Sequence, residues 1–252
     1  MSLDVEPTRH LSFDALFNVR DLGGYRTADG RHTRWRTLYR ADGLNRAQGD
    51  DLARLSELGL RTVLDLRSPT ELAERGSFPI DELPVSYHHL PMLQQTWEGK
   101  AIGPDVEAAA FLTLRYREML DEGRDAIAAA FAVLADADAY PAVFHCAAGK
   151  DRTGVLAALV LGVVGVPDDT IATDYGLSRV GMAAMVEWVR VNRPEVLDAM
   201  IDQPGVLLEA PPLAMHGLLA ELRAEHGSIA GYLEAIGVGG DVVSSLRDNV
   251  LD

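Results

Sequence analysis

The chain has 252 residues, 48% of them hydrophobic, and a formal net charge of -15. This supplies a sizeable core, and with no Pro/Ser/Gly-rich linker dividing the sequence, residues 1–252 read as a single domain. Strong acidity without a basic stripe excludes nucleic acid as a main partner and argues against stable residence on an anionic membrane. One cysteine allows no internal disulfide. The N-terminus, Met1 to Glu6, lacks a basic segment followed by an apolar run, so no signal peptide is read; a cytoplasmic location is expected, with leaderless export compatible with the same features. The longest nearly uncharged stretch, Gly154 to Pro167, is too short to span a bilayer.

In chain order, Thr8 to Phe17 form an entry segment. Asn18 to Tyr25 follow, where Asp21, Gly23 and Gly24 suit a tight turn, and Asn18 and Arg20 carry side chains able to fix a neighbouring loop. A hairpin is expected here, with its tip at Thr27 to Gly30 and a returning strand at Trp35 to Tyr39. Asn45 is placed to cap a helix over Arg46 to Leu58, where Leu52, Leu55 and Leu58 recur at helical spacing and Gly59 ends it. Thr62 to Leu66 is a β-type run ending in Asp65-Leu66-Arg67, which offers a carboxylate and a guanidinium at the C-terminal rim of a sheet, the usual place for an α/β site.

A short helix over Glu71 to Arg75 and a strand over Val85 to Leu90 come next. His88 and His89 would point to opposite faces of that strand, and no Cys/His/Asp set with ligand spacing surrounds them; no metal and no cofactor are assigned. Pro91 to Pro104 reads as a loop able to cover a site, and Val106 to Leu120 and Arg124 to Ala135 as helices. Ala142 to Phe144 is a strand, Thr153 to Val164 an all-round apolar helix, and Pro167-Asp168 opens a helix containing Ile171, Tyr175, Val180 and Met185. Val191 to Pro212 holds too many breakers for one helix and reads as a flap. Leu213 to Glu225, Ile229 to Ala235 and Val242 to Leu246 form a helical tail.

The densest chemistry lies in His145-Cys146-Ala147-Ala148-Gly149-Lys150-Asp151-Arg152-Thr153-Gly154. A loop between a strand and a helix can aim several backbone N–H groups at one anion, and the helix adds the positive end of its dipole. Cys146 opens the loop and Arg152 stands six positions later, the pattern of a thiolate nucleophile beside a forked phosphate clamp. A lone cysteine before a Gly-rich turn is ordinarily packing; Arg152 changes that balance. A Walker A loop is excluded, because Asp151 follows Lys150 and no glycine stands five residues before Gly149. A sulfur-transfer loop remains an alternative on these residues alone.

The loop, with Asn18-Val19-Arg20-Asp21-Leu22-Gly23-Gly24-Tyr25, resembles the bacterial atypical tyrosine phosphatases, cysteine phosphatases of dual-specificity or phosphoinositide-directed type that include secreted mycobacterial members. Leu38 to Asp42, Val63 to Ser68 and Asp174 to Ser178 extend the likeness from about residue 12 to the C-terminus. The resemblance implies a three-layer, phosphotyrosine-phosphatase-like α/β sandwich with a central, mainly parallel sheet, extra helical segments, and Cys146 at one sheet edge's C-terminal rim.

It also implies that Cys146 attacks phosphorus while Arg152 and the N–H groups from Ala147 to Arg152, those of Ala148, Gly149 and Lys150 among them, hold the oxygens, with Thr153 donating to sulfur. Asp151 is favoured as the general acid and Asp65 is its rival; Arg67 would orient Asp65, and Arg20 is mainly support with a smaller share in substrate contact. His145 braces the loop. Lys150 is expected to emerge near the rim, and Arg20, Arg40, Arg67, Lys150 and Arg152 would steer an anion if they collected there.

The expected substrate is a phosphotyrosine protein, with a phosphoinositide as the alternative. A redox-sensing thiolate and a non-catalytic phosphate-binding module rank below, since no second cysteine is present and binding alone needs no nucleophile. Oligomeric state is left open.

Overall fold

The computed structural model describes residues 8–95, 107–195, 197 and 208–252. Three four-residue runs, Leu38–Ala41, Thr62–Asp65 and Ala142–His145, are buried at every position, so the strands they form are covered on both faces. That is the burial expected of a parallel sheet between helical layers. The strands are β1 (Arg20–Asp21), β2 (Leu38–Ala41), β3 (Thr62–Asp65), β4 (Ser86–His89) and β5 (Ala142–His145), in the spatial order β1-β2-β5-β3-β4. β1 pairs antiparallel with β2, and every other pairing is parallel.

Register then places the site. Ala41, Asp65 and His145 stand level at the ends of β2, β3 and β5, so the three segments that follow open on one rim. β5 lies at the centre of the sheet, not at its edge as expected. Parallel neighbours on both sides and full burial require the interior position.

Alternation along the strands makes the layers. Tyr39, Val63 and Val143 turn to one side, where they meet Leu16, Val19, Leu44, Leu55 and Phe78. Leu38, Leu64 and Phe144 turn to the other, larger core. The helices are α1 (Asp50–Glu57), α2 (Pro69–Arg75), α3 (Ala108–Glu122), α4 (Arg124–Leu134), α5 (Asp151–Val163), α6 (Asp168–Gly176), α7 (Ser178–Asn192), α8 (Pro212–His226), α9 (Ile229–Ala235) and α10 (Gly240–Val250). The architecture is the expected α/β sandwich. α5 is buried at every position except Asp151 and Gly162, as an all-round apolar helix must be, and it packs against α6, α8, α9 and the sheet. That packing anchors the helix whose first turn carries Asp151 and Arg152.

Several boundaries differ from the sequence reading. The helix expected over residues 46–58 is a 3-10 turn at Leu44–Arg46 followed by α1, because Gly49 takes φ +52 between them. Asn45 therefore caps nothing, and its Nδ2 donates to Arg75 O at 2.9 Å. β2 begins at Leu38 and not at Trp35, since Arg36 holds φ +58 with its N–H donated to Asp21 Oδ2 at 2.7 Å. The helix expected from residue 168 through Met185 breaks after Gly176 into α6 and α7. The covering loop (Pro91 to Pro104) and the flap (Val191 to Pro212) fall largely on 96–106, 196 and 198–207, outside the described residues. Among the described residues no helix is long and apolar enough to cross a membrane.

Candidate active site

β5 delivers Cys146, 2% exposed, to the rim, and α5 opens at Asp151. Ala147 to Lys150 carry the chain between them around a cup. Gly149 makes the turn possible: its φ is +65, and a Cβ there would stand 2.7 Å from the backbone of Ala41 and Asp42. The helix N-terminus and the preceding N–H groups make the cup a natural seat for an anion. Thr153 Oγ1 is buried behind it with no hydrogen-bond partner among the described residues.

Arg152 is held in place by Glu71. Its Nη2 donates to Glu71 Oε1 at 2.9 Å and its Nη1 to Glu71 Oε2, a two-point fork between buried groups. Glu71 is itself fixed by a capping box at the start of α2: Ser68 N–H donates to Glu71 Oε2 at 2.8 Å, and Glu71 N–H to Ser68 Oγ at 3.2 Å. Burial acts to raise the Glu71 carboxyl, but Arg152 and Ser68 outweigh it and hold it at about 2. The Arg152 guanidinium is pushed further up, burial being more than offset by Cys146 and Glu71. Glu71 is the residue that sequence reasoning missed, although Ser68-Pro69-Thr70-Glu71 carries the capping-box spacing.

The two candidate acids sit in different surroundings. Asp65 is fully buried and accepts from Arg67 Nε at 2.9 Å, Arg67 Nη2 at 2.5 Å and Tyr87 OH at 2.8 Å. Burial would raise its carboxyl, yet Arg67 and Tyr87 outweigh this and hold it well below the usual carboxylate range. Asp151 is 22% exposed, and its Oδ1 accepts from Tyr116 OH at 2.6 Å, with Tyr175 OH 2.5 Å beyond. Tyr116, from α3, is a further residue that sequence reasoning missed, while Tyr175, from α6, lies in the Asp174 to Ser178 segment whose family likeness implies support near the loop.

The other basic residues do not form an open rim. Arg67 is spent on Asp65 and Gly76 O, and Arg20 on Asp174, Asn18 and Ser178, both guanidinium groups fully buried. Lys150 does not emerge: it is buried, with Nζ donating to Glu209 O at 2.7 Å and 3.4 Å from Asp151 Oδ1. His88 and His89 are far from a shared ligand geometry, one bonded to Ser86 Oγ and the other to Arg67 O, each at 2.9 Å.

His145 lies fully buried at the end of β5, its Nδ1 3.4 Å from the Cys146 carbonyl oxygen. Burial pushes its imidazole down to about 4 against the opposing pull of Asp65, whose Oδ2 lies 3.6 Å from Nε2. The folded value lies below the ordinary 6.5, so as pH falls the unfolded chain takes up this proton first. Stability should be complete above about pH 6.5 and lost as pH falls from there to about 4, at roughly 1.4 kcal/mol per unit. Urea midpoints across that window should fall steeply for the parent and less for His145→Gln; equal slopes would remove His145 as the cause.

The sequence profile of the Tyrosine phosphatase family matches residues 11–252, the loop, Glu71 and the buried network included. The chain belongs to the tyrosine phosphatase family. Among its relatives, a Cupriavidus necator protein assigned to the tyrosine-protein phosphatases is 34% identical over 180 residues, 68% of this chain and 63% of that one. The triple specificity protein phosphatase PtpB of Mycobacterium tuberculosis is 28% identical over an alignment of 278 positions that covers 93% of this tyrosine phosphatase family member and 96% of PtpB. A tyrosine-protein phosphatase of Nostoc commune is 26% identical over 219 residues, covering 81% of this chain and 70% of its own. Membership makes the chain a phosphatase-type hydrolase, with Cys146 its one cysteine.

Proposed function

We propose that the chain is a protein-tyrosine phosphatase working through a phosphocysteine on Cys146, as one catalytic domain over residues 1–252. The observation that carries this is the fork of Arg152, already fixed by Glu71 beside the loop that starts at Cys146. A guanidinium clamp, a helix N-terminus and a thiol converge on one cup, and together they suit a phosphoryl group in transfer. Dual specificity is part of this reading, supported by the form of the His145 to Gly154 loop and by the triple-specificity name of the relative PtpB.

In the first step the Cys146 thiolate forms a bond to phosphorus as the ester P–O bond breaks, and the electron pair leaves on the phenolic oxygen, which takes a proton from Asp151. Arg152 and the loop N–H groups hold the equatorial oxygens, where charge is spread in the transition state. In the second step water gives a proton to Asp151 and its oxygen attacks phosphorus; the S–P bond breaks and inorganic phosphate leaves. Thr153, whose hydroxyl has no other partner among the described residues, donates to the departing sulfur.

Asp151 takes the acid role because it is the partly exposed carboxylate of the two, while Asp65 is closed off by Arg67 and Tyr87. Asp151→Asn should slow a phosphotyrosine peptide by about 10²- to 10⁴-fold and p-nitrophenyl phosphate, whose leaving group hardly needs a proton, far less. Equal losses on both would return the role to Asp65.

Burial of Lys150 bears on substrate class. With Nζ committed to Glu209 O, it offers no cation for a second phosphate of an inositol lipid, so Lys150→Ala should lower kcat/KM for a phosphotyrosine peptide and for a multiply phosphorylated inositol lipid alike. Parallel kinetics on the two substrates at one ionic strength checks this; a loss confined to the lipid would restore the phosphoinositide reading.

A further inference from the structure

The loop is gripped from behind, peptide by peptide. Gly43 N–H donates to Ala147 O at 3.1 Å, Asn18 Nδ2 to Ala148 O at 2.9 Å and Arg40 Nη2 to Gly149 O at 2.8 Å, while at the start of α5 Gly154 N–H donates to Lys150 O at 2.7 Å. A trans peptide is planar, and its N–H points opposite to its C=O. Catching the carbonyls of Ala147, Ala148 and Gly149 from outside therefore turns the N–H groups of Ala148, Gly149 and Lys150 the other way, into the cup. Each such bond also polarises the N–H across the peptide and makes it a better donor.

Two of these grips descend from one buried carboxylate. Asp174, 1% exposed, accepts from Arg40 Nη1 at 2.6 Å, and Arg40 reaches Gly149 O directly. Asp174 also accepts from Arg20 Nε at 2.9 Å, and Arg20 Nη1 donates to Asn18 Oδ1 at 2.5 Å, which frees the Asn18 amide nitrogen for Ala148 O. Tyr25 OH adds a donor to Asp174 at 2.8 Å, and Asp42 holds the Asn18 backbone N–H at 3.1 Å. Arg20 and Arg40 face the single carboxylate of Asp174 while Asp42 is paired with Arg46, so the cluster behind the loop carries a net positive charge, the sign that favours an anion in front of it.

We infer that Asn18, Arg20, Arg40 and Asp174 are positioning residues for phosphate: a two-armed device on Asp174 that aims successive loop N–H groups at the oxygens of the bound group. The inference rests on the reading of the loop as the phosphate site.

The test uses Cys146→Ser protein, which binds without turnover, titrated with inorganic phosphate and followed by calorimetry and by the backbone amide resonances of Ala148, Gly149 and Lys150. Adding Asn18→Ala should weaken phosphate binding about tenfold, and Arg40→Met at least as much. The phosphate-induced displacement should shrink mainly at Gly149 in the first variant and mainly at Lys150 in the second, a pattern that general loosening would not give. Should Arg40→Met fail to fold, Asn18→Ala, which removes no charge, carries the test alone. Unchanged affinity and an unchanged resonance pattern in Asn18→Ala would overturn the device and leave the phosphatase reading standing; no phosphate binding by the Cys146→Ser parent would overturn both.

Discussion

Cys146→Ser is expected to lower phosphomonoester turnover by roughly 10⁴-fold or more while the protein stays folded and keeps its affinity for phosphate. The cup is built from backbone N–H groups, α5 and Arg152, none of which depends on the sulfur. A hydroxyl fits where the thiol sits, but oxygen at its free pKa is a poor nucleophile and no base stands ready for it: His145 is buried with its ring beside Asp65 and the Cys146 carbonyl. Turnover of p-nitrophenyl phosphate, read with near-UV circular dichroism as the control for folding, decides the matter. A rate within tenfold of the parent would remove the covalent role.

Arg152→Lys should be the next most damaging change, by about 10²- to 10³-fold in kcat, the cost of removing a preorganised donor to transition-state charge. An ammonium keeps the charge and loses the two-point geometry. It also leaves Glu71, buried and held at about 2, with a poorer partner, so some loss of stability accompanies the loss of rate. Glu71→Gln separates the two effects. It keeps the shape and a hydrogen bond to the guanidinium but loosens the fork, and should cost kcat less than Arg152→Lys does. A Glu71→Gln loss equal to that of Arg152→Lys would mean that Glu71 takes part in the chemistry directly.

What could be read from the chain follows sequence distance. Cys146, Asp151 and Arg152 lie within one turn of loop and helix, so their order alone announced the cup. β3 and β5 announce themselves by short apolar runs, whereas β2, equally buried, carries Arg40 in its middle and does not. Glu71 meets Arg152 across 81 positions, and only the folded sheet, which levels β3 with β5, brings α2 against the loop. Asp65 and Arg67 read as a pair from their spacing and bond as one, yet their closeness is what satisfies each by the other and withdraws both from the open side of the cup. Lys150 shows the same limit: whether a long side chain turns outward or inward was decided by the Glu209 carbonyl, 59 positions away. The edge position expected for β5 failed because a run of four residues says that a strand is buried but not which strands flank it.

The central claim is a covalent phosphoryl group on Cys146, and trapping it is the most direct measurement. Parent protein and Asp151→Asn, in which hydrolysis of the intermediate loses its base, would be mixed with p-nitrophenyl phosphate, quenched in denaturant within the first turnover, digested, and read by mass spectrometry. The account predicts one added phosphoryl group on the peptide bearing Cys146, more of it in Asp151→Asn, and none in Cys146→Ser. Full turnover with no phosphoryl group on Cys146, or with the group on His145, would contradict it.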